Sequence, residues 1–227
     1  MKKHILVLDI DGTLTDTVAL HQRAFLGAMQ ALALPSLDTD WGGYPHHTDT
    51  GILRHALARH GLAAPSAAMQ AGFEQDLAER FRAGMAAAPI REIPGAAAFT
   101  RWLDGSDWAV VYATGGVRAV SGLKLDAAGI AYPPDALFTA SEEPARDALV
   151  ARAVAHARQM HPRARDGLAL SMGDGRWDLE VAARLGLRFL GVGATAQARL
   201  LTERGATVLP DLTGASAALT RLAAAPA

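Results

Sequence analysis

The chain has 227 residues, half of them hydrophobic and a fifth charged, with a formal net charge of −1. That composition belongs to a folded chain long enough to bury a large core, and excludes an intrinsically disordered one. Scattered arginines and near-neutral charge give no footprint for nucleic acid or a membrane surface. The lack of cysteine excludes disulfides, thiol nucleophiles and cysteine-ligated zinc, and fits the cytoplasm.

The first element is "HILVL", residues 4–8, an apolar run that reads as a strand buried on both faces of a parallel sheet. Met1-Lys2-Lys3 precedes it, but five apolar residues before Asp9 are too few for a signal peptide, and no later run is long enough to span a bilayer. From about 16 to 91 there is no convincing strand. "TVALHQRAFLGAMQAL" places Val18, Phe25, Leu26, Met29 and Leu32 on one helical face. A second helix, capped by Thr48 or Asp49, ends near Gly61, and a third starts after Pro65. Beyond the turn "REIPG" at 91–95, strands are expected at 108–114, 136–140, 167–173, 188–193 and weakly 206–210. They alternate with helices at 95–104, 117–128, 146–160, 176–185 and 195–204. Such alternation predicts an α/β fold: a Rossmann-like parallel sheet with helices on both faces, formed by residues 1–15 and 92–227. Residues 16–91 form an inserted all-α cap. The alanine-rich last residues are expected to fray, and Trp102, Trp108 and Phe99 to pack the core.

In such a sheet, ligands bind at the carboxyl ends of the strands. Asp9 and Asp11 follow the first strand, Thr114-Gly115-Gly116 the second, and Gly173-Asp174 the fourth, with Asp178 one helical turn further on. Converging carboxylates repel, so one must take up a proton or a cation must sit among them. Oxygen ligands suit Mg²⁺, which leaves positions for water and phosphate oxygens. The hydroxyl and open backbone amides of Thr114-Gly115-Gly116 suit a phosphate dianion.

These segments resemble the haloacid dehalogenase superfamily. "DIDGTLTD" matches its first motif, "VVYATGG" its second and "LSMGDGRWD" its fourth, and their order extends the likeness over residues 4 to about 213. A helical insertion between the first and second motifs is that family's commonest cap arrangement, and the likeness extends to its phosphoglycolate phosphatase-type members. The resemblance implies a Mg²⁺-dependent phosphomonoester hydrolase acting on a small phosphorylated metabolite. Asp9 would be the nucleophile and Asp11 the acid and base. Mg²⁺ would be held by Asp9, the Asp11 carbonyl, Asp174 and Asp178, the last directly or through water. Thr114, with Gly115 and Gly116, would bind the phosphoryl group, and Gly12 and Thr13 would shape the turn beside it. Linkers near 15–18 and 87–94 would be the hinges of the cap.

One motif departs from the pattern. The family's third motif supplies a lysine, but the corresponding stretch here is "EPARD", with Glu143 in the lysine slot. Apart from Lys2 and Lys3, the sole lysine is Lys124, which makes it the preferred substitute, with Arg146 the alternative. Retention of Asp11 and Asp174 argues against a dehalogenase, and the lack of any cap lysine against phosphonate hydrolysis. A phosphomutase, or a phosphate-binding homologue with weak turnover, shares the same motifs. Asp16 reads equally as a helix cap, and Asp178 as a partner for Arg176 or Arg184. The pair His46-His47 lacks a carboxylate at ligand spacing and reads as a structural loop, the alternative being that it faces the active site and selects substrate.

Overall fold

The computed structural model describes residues 1–224. Six strands form one parallel sheet: β1 (His4–Leu8), β2 (Trp108–Ala113), β3 (Leu137–Phe138), β4 (Ala169–Gly173), β5 (Arg188–Val192) and β6 (Val208–Leu209). Their order is β3-β2-β1-β4-β5-β6, so β1 is central, flanked by β2 and β4. A strand paired on both edges and covered on both faces must be apolar throughout, and Ile5 to Leu8 are all essentially inaccessible. Alternation then divides them. Leu6 and Leu8 join Phe99, Trp108, Leu170 and Met172 on one side, while Ile5 and Val7 join Val111, Leu149, Val150 and Val154 on the other.

The chain leaves β1 for β2 on one side and later reaches β4 on the other. This puts the reversal of strand order at the carboxyl end of β1, where such sheets bind ligands.

Between β1 and β2 come three long helices, α1 (Val18–Ala31), α2 (Asp49–Arg59) and α3 (Ala67–Ala87), followed by α4 (Ala96–Gly105). Local chemistry sets their ends. The Thr48 hydroxyl accepts from the Gly51 amide and the Ser66 hydroxyl from the Met69 amide, satisfying amides that the first helical turn leaves free. Helices α1, α2 and α3 bury their own apolar cluster, with Phe25, Leu53, Leu57, Phe73, Leu77 and Phe81 at its centre. Val117 and Val120, at the start of α5 (Arg118–Ala127), complete that cluster and join the cap to the sheet's helices. The two linkers between cap and sheet run side by side. Thr15 pairs with Glu92, the Asp16 amide donates to the Arg91 carbonyl at 2.9 Å, and the Ile93 amide donates to Leu14 at 2.9 Å.

The remaining helices, α6 (Arg146–Met160), α7 (Arg176–Arg184), α8 (Ala196–Glu203) and α9 (Ala215–Ala224), belong to the sheet layer. Four details differ from the reading of the sequence. Helix α1 buries Leu20, Ala24, Phe25, Ala28 and Met29, leaving Val18 exposed, because small Ala24 and Ala28 let it lie close to α3. Asp16 caps nothing: it is exposed, and Thr17 holds the N-cap position. The alanine-rich end is helical through Ala224, with Ala215, Ala218 and Leu219 closing the cluster around Phe99; the last three residues of the stretch expected to fray lie outside the described ones. Trp108 and Phe99 are buried, but Trp102 is 37% exposed and stacks on Phe99 from outside.

Phe81 is fully buried in the cap cluster. Replacing it with alanine removes that ring and leaves a cavity, so Phe81→Ala is expected to lower stability by about 3–5 kcal/mol, read from the urea midpoint at unchanged slope.

Candidate active site

The turn after β1 builds the site. Amides of Thr13, Leu14 and Thr15 all turn back onto the Ile10 carbonyl, at 3.3, 2.9 and 3.0 Å. Gly12 sits at φ +74°, and a side chain there would bring its first carbon 2.1 Å from the Asp174 carboxylate. Only glycine meets both demands, so the turn can lie directly against the end of β4. The fully buried Thr13 donates its hydroxyl proton to Asp9 Oδ2 at 3.3 Å.

Asp9, Asp174 and Asp178 converge, each offering a carboxylate oxygen within 4.8 Å of the others. Asp9 and Asp178 are buried and Asp174 half-buried. Arg146, the first residue of α6 and itself 5% exposed, lies among them. Its Nη2 donates to Asp178 Oδ1 at 2.7 Å and to Asp9 Oδ1 at 3.2 Å. The second oxygen of Asp178 accepts from the Gly175 amide at 3.1 Å. Asp178 therefore pairs with an arginine, though with Arg146 rather than Arg176 or Arg184; Arg184 goes to Asp147.

Lys124 lies elsewhere in the site. It is fully buried on α5, and its Nζ donates to Asp11 Oδ2 at 2.5 Å and to His21 Nδ1 at 2.9 Å, 5.4 Å from the centre of the Phe81 ring. The other Asp11 oxygen accepts from Thr17 Oγ1 at 2.6 Å. Each aspartate of the first motif thus has its own cation: Arg146 for Asp9, Lys124 for Asp11. Of the two candidates for the third-motif role, Arg146 is the one beside Asp9, because the start of α6 faces that carboxylate and α5, with Lys124, faces its neighbour.

Burial and the facing Asp178 push Asp9 well above the ordinary carboxylate range, against the opposing pull of Arg146. Burial, Asp178 and Asp11 likewise raise Asp174, to about 8. Burial would raise Asp11 too, but the charge of Lys124, His21 and the hydrogen bonds from Lys124 and Thr17 overcome it and hold the group at about 2. Despite burial, Arg146 is held more firmly protonated by Asp178 and Asp9.

Thr114 follows β2 and is buried, with its hydroxyl accepting from the Gly116 amide at 3.3 Å. Gly115 lies against Arg146 and the His47 carbonyl, and Gly116 lies near Lys124 and Ser121. All the residues singled out in the three motifs therefore gather at one end of the sheet.

Reading the sequence missed Thr17, His21 and Asp49 as parts of the site. Asp49 is buried at the start of α2. Its Oδ1 is 2.9 Å from His21 Nε2, and its Oδ2 accepts from the Val117 amide at 2.9 Å. If Lys124 donates to His21 Nδ1, the ring proton stands on Nε2 and is donated to Asp49, so both contacts are satisfied. The available signal was Thr17 and His21 one helical turn apart, immediately after the first motif. His47 stacks on Trp177 with ring centres 3.5 Å apart, and its Nδ1 is 3.0 Å from the Trp41 carbonyl. Burial and Arg146 lower it to about 4.

Among the described residues, the three aspartates are the one group of carboxylate or imidazole side chains at metal-ligand spacing. Their donors are all oxygen, and two of them are raised by burial and by like charge. Such a set fits a hard divalent cation. Asp174 carries no ion pair among the described residues, which leaves it the freest of the three to ligate one.

The site thus combines a parallel α/β sheet, an acidic cluster at its central strand ends and an inserted helical piece above them. The chain belongs to the haloacid dehalogenase-like hydrolases, whose family model matches residues 3–186. Among solved structures it is similar to CbbY from Rhodobacter sphaeroides, with a TM-score of 0.68 and 21% identity over 93% of this chain and 95% of that one. A hydrolase from Pseudomonas syringae gives a TM-score of 0.68 and 20% identity over 97% and 100% of the two chains. A putative β-phosphoglucomutase from Bacteroides vulgatus gives 0.70 and 18% over 99% and 91%. None of the curated protein sequences matches the chain.

The raised carboxyls fix the sign of a pH effect. Asp174 titrates near 3.8 when unfolded and at about 8 when folded, so between those values the folded state binds more protons. The Asp174 contribution to stability of the metal-free protein is then expected to fall as pH rises across that window, most plainly above pH 6.5, where the opposing contribution of His47, lowered to about 4, is complete. A divalent cation competes with those protons, so Mg²⁺ should raise Tm more at about pH 8 than at about pH 6, as differential scanning fluorimetry would read. An increment independent of pH would argue against the cluster as the binding site.

Proposed function

We propose that the protein is a Mg²⁺-dependent phosphomonoester hydrolase acting on a small phosphorylated metabolite through an aspartyl-phosphate. The observation that carries this reading is the convergence of Asp9, Asp174 and Asp178 at the end of β1, with Arg146 among them. The neighbours' ligands point the same way: CbbY was crystallised with phosphate and, as a variant, with xylulose-(1,5)bisphosphate. We take residues 16–91 as the cap and residues 1–15 with 92–227 as the catalytic core, and place the enzyme in the cytoplasm.

Asp9, Asp174 and the Asp11 carbonyl would hold Mg²⁺, with Asp178 acting directly or through water. When bound, the ion supplies positive charge for the transferring oxygens and favours the ionised form of Asp9. In the first step an Asp9 oxygen attacks phosphorus in line, the bond to the ester oxygen breaks, and that oxygen takes a proton held by the Asp11–Lys124 pair. In the second, Asp11 removes a proton from water, the water oxygen attacks phosphorus, and the bond to Asp9 breaks to release phosphate. The Thr114 hydroxyl and the amide of Gly115 hold the phosphoryl oxygens, with Gly116 shaping the loop and Gly12 and Thr13 the turn beneath. Arg146 takes the charge-stabilising role of the third motif, because its guanidinium is bonded to Asp9. Lys124 instead keeps Asp11 oriented and supplies its proton.

A phosphomutase is the second reading, favoured by the likeness to the B. vulgatus protein. Both readings are separable by product. Hydrolysis of p-nitrophenyl phosphate is expected to require Mg²⁺ and to fall by roughly a thousandfold or more in Asp9→Asn. Release of inorganic phosphate from sugar phosphates supports the hydrolase, and an isomerised sugar phosphate the mutase. A wild-type protein that binds phosphate without turnover would reduce it to a binding homologue.

A further inference from the structure

Arg146 uses its two terminal nitrogens on different partners. Nη2 faces Asp9 and Asp178 in the core, while Nη1 donates to the His47 carbonyl of the cap at 3.0 Å. Among the described residues, His47 is one of two non-glycine residues with positive φ, at +45°, a conformation that costs energy and here aims its carbonyl at the guanidinium. The residues after it meet the core through backbone groups. The Asp49 amide donates to the Gly115 carbonyl at 2.8 Å, Thr48 Oγ1 to the Pro144 carbonyl at 2.6 Å, and Thr50 Oγ1 to the Ala140 carbonyl at 2.6 Å.

The contact is too close for side chains on either side. A first side-chain carbon on Gly115 would fall 2.7 Å from Arg146 Nη1 and 2.7 Å from the His47 carbonyl. One on Gly51 would fall 2.8 Å from the Pro144 carbonyl and 2.5 Å from Thr48 Oγ1. Neither glycine has a positive φ, so it is proximity of the opposing element that demands glycine.

We propose that Arg146 is a positioning residue for the cap as well as the partner of Asp9: it bolts residues 47–51 over the strand ends, so that one side chain sets both cap closure and the charge beside the nucleophile. A lysine could neutralise Asp9 and Asp178, but as a single point charge it lacks the second nitrogen directed at the cap. The departure "EPARD" from the lysine motif therefore adds a function. Its consequence for turnover rests on the hydrolase reading; the bolt itself does not.

Hydrogen exchange of the ligand-free, full-length protein, followed by mass spectrometry, tests the bolt without turnover. The Asp49 amide is the reporter, since its acceptor lies across the junction. Arg146→Lys is expected to speed exchange over residues 46–53 by roughly ten- to a hundredfold while leaving β1 unchanged. Asp9→Asn, which retains the Nη1 contact, should exchange like wild type there. Gly51→Ala, in the cap and away from the carboxylates, should reproduce the loosening should Arg146→Lys fail to fold. Equal exchange at Asp49 in wild type and in whichever of Arg146→Lys and Gly51→Ala folds would overturn the proposal. In hydrolysis, Gly51→Ala should change kcat and KM together, the signature of a disturbed closure, whereas a merely structural substitution would leave both unchanged. Absence of wild-type hydrolysis would refute the hydrolase reading and leave the exchange result standing.

Discussion

Mutual repulsion of three crowded carboxylates, two of them buried and one half-buried, is the constraint on which the rest of the structure depends. Asp9, Asp174 and Asp178 come from the ends of adjacent strands and the first turn of a helix, and burial of Asp9 and Asp178 weakens screening by water. Such a cluster is tolerable only if protons or cations offset it, and the strongly buried Arg146 supplies part of that charge. Removing one member of a buried charged set costs more than forming the set gains, because the remaining charges lose their partner. The folded chain thus holds a partly unmet demand for positive charge at the carboxyl end of its central strand.

Nearly every local feature around that point serves to bring backbone close to it. Gly12 turns the chain under Asp174, and Thr13 and Thr17 each place a hydroxyl on one of the first-motif aspartates. The cap contributes as much as the sheet does. His21 comes from α1 and Asp49 from α2, yet the line Asp49–His21–Lys124–Asp11 ends on the core's own acid. Asp49 also accepts from the Val117 amide, giving α5 a capping group that belongs to another part of the fold. Cap and core therefore share one hydrogen-bonded network and do not merely touch.

What the sequence made legible was local. β1, β2, β4 and β5 are mostly apolar because they are largely buried on both faces, and the acidic and hydroxyl groups of the three motifs sit within a few residues of a strand end. The cations were less legible because a helix start gives no sign of which strand end it faces. Arg146 is the first residue of α6, where its direction depends on Asp178, 32 positions later, and on His47, 99 positions earlier. His21 and Asp49 lie 28 residues apart on separate helices, and only the folded cap brings them together. Helix α9 escaped for a different reason: its apolar face is made mostly of alanine, which resembles low-complexity sequence, and only the cluster around Phe99 shows that Ala215, Ala218 and Leu219 are buried.

The opposite shifts of Asp9 and Asp11 complete the argument. Two carboxyls two residues apart are driven apart by their surroundings, Asp9 upward by burial and Asp178, Asp11 downward by Lys124 prevailing over burial. Environments that separate neighbouring titrations are how a fold assigns different chemical roles to like groups. Here the assignment is conditional. With only Arg146 beside it, Asp9 is biased toward its protonated form, whereas Lys124 biases Asp11 toward its ionised form. Further positive charge at the cluster would shift Asp9 back toward its ionised form, and Asp174, which carries no ion pair among the described residues, is the carboxylate best able to accept it. On the proposed reading, the same repulsion that raises Asp9 and Asp174 is what would make binding of a cation favourable.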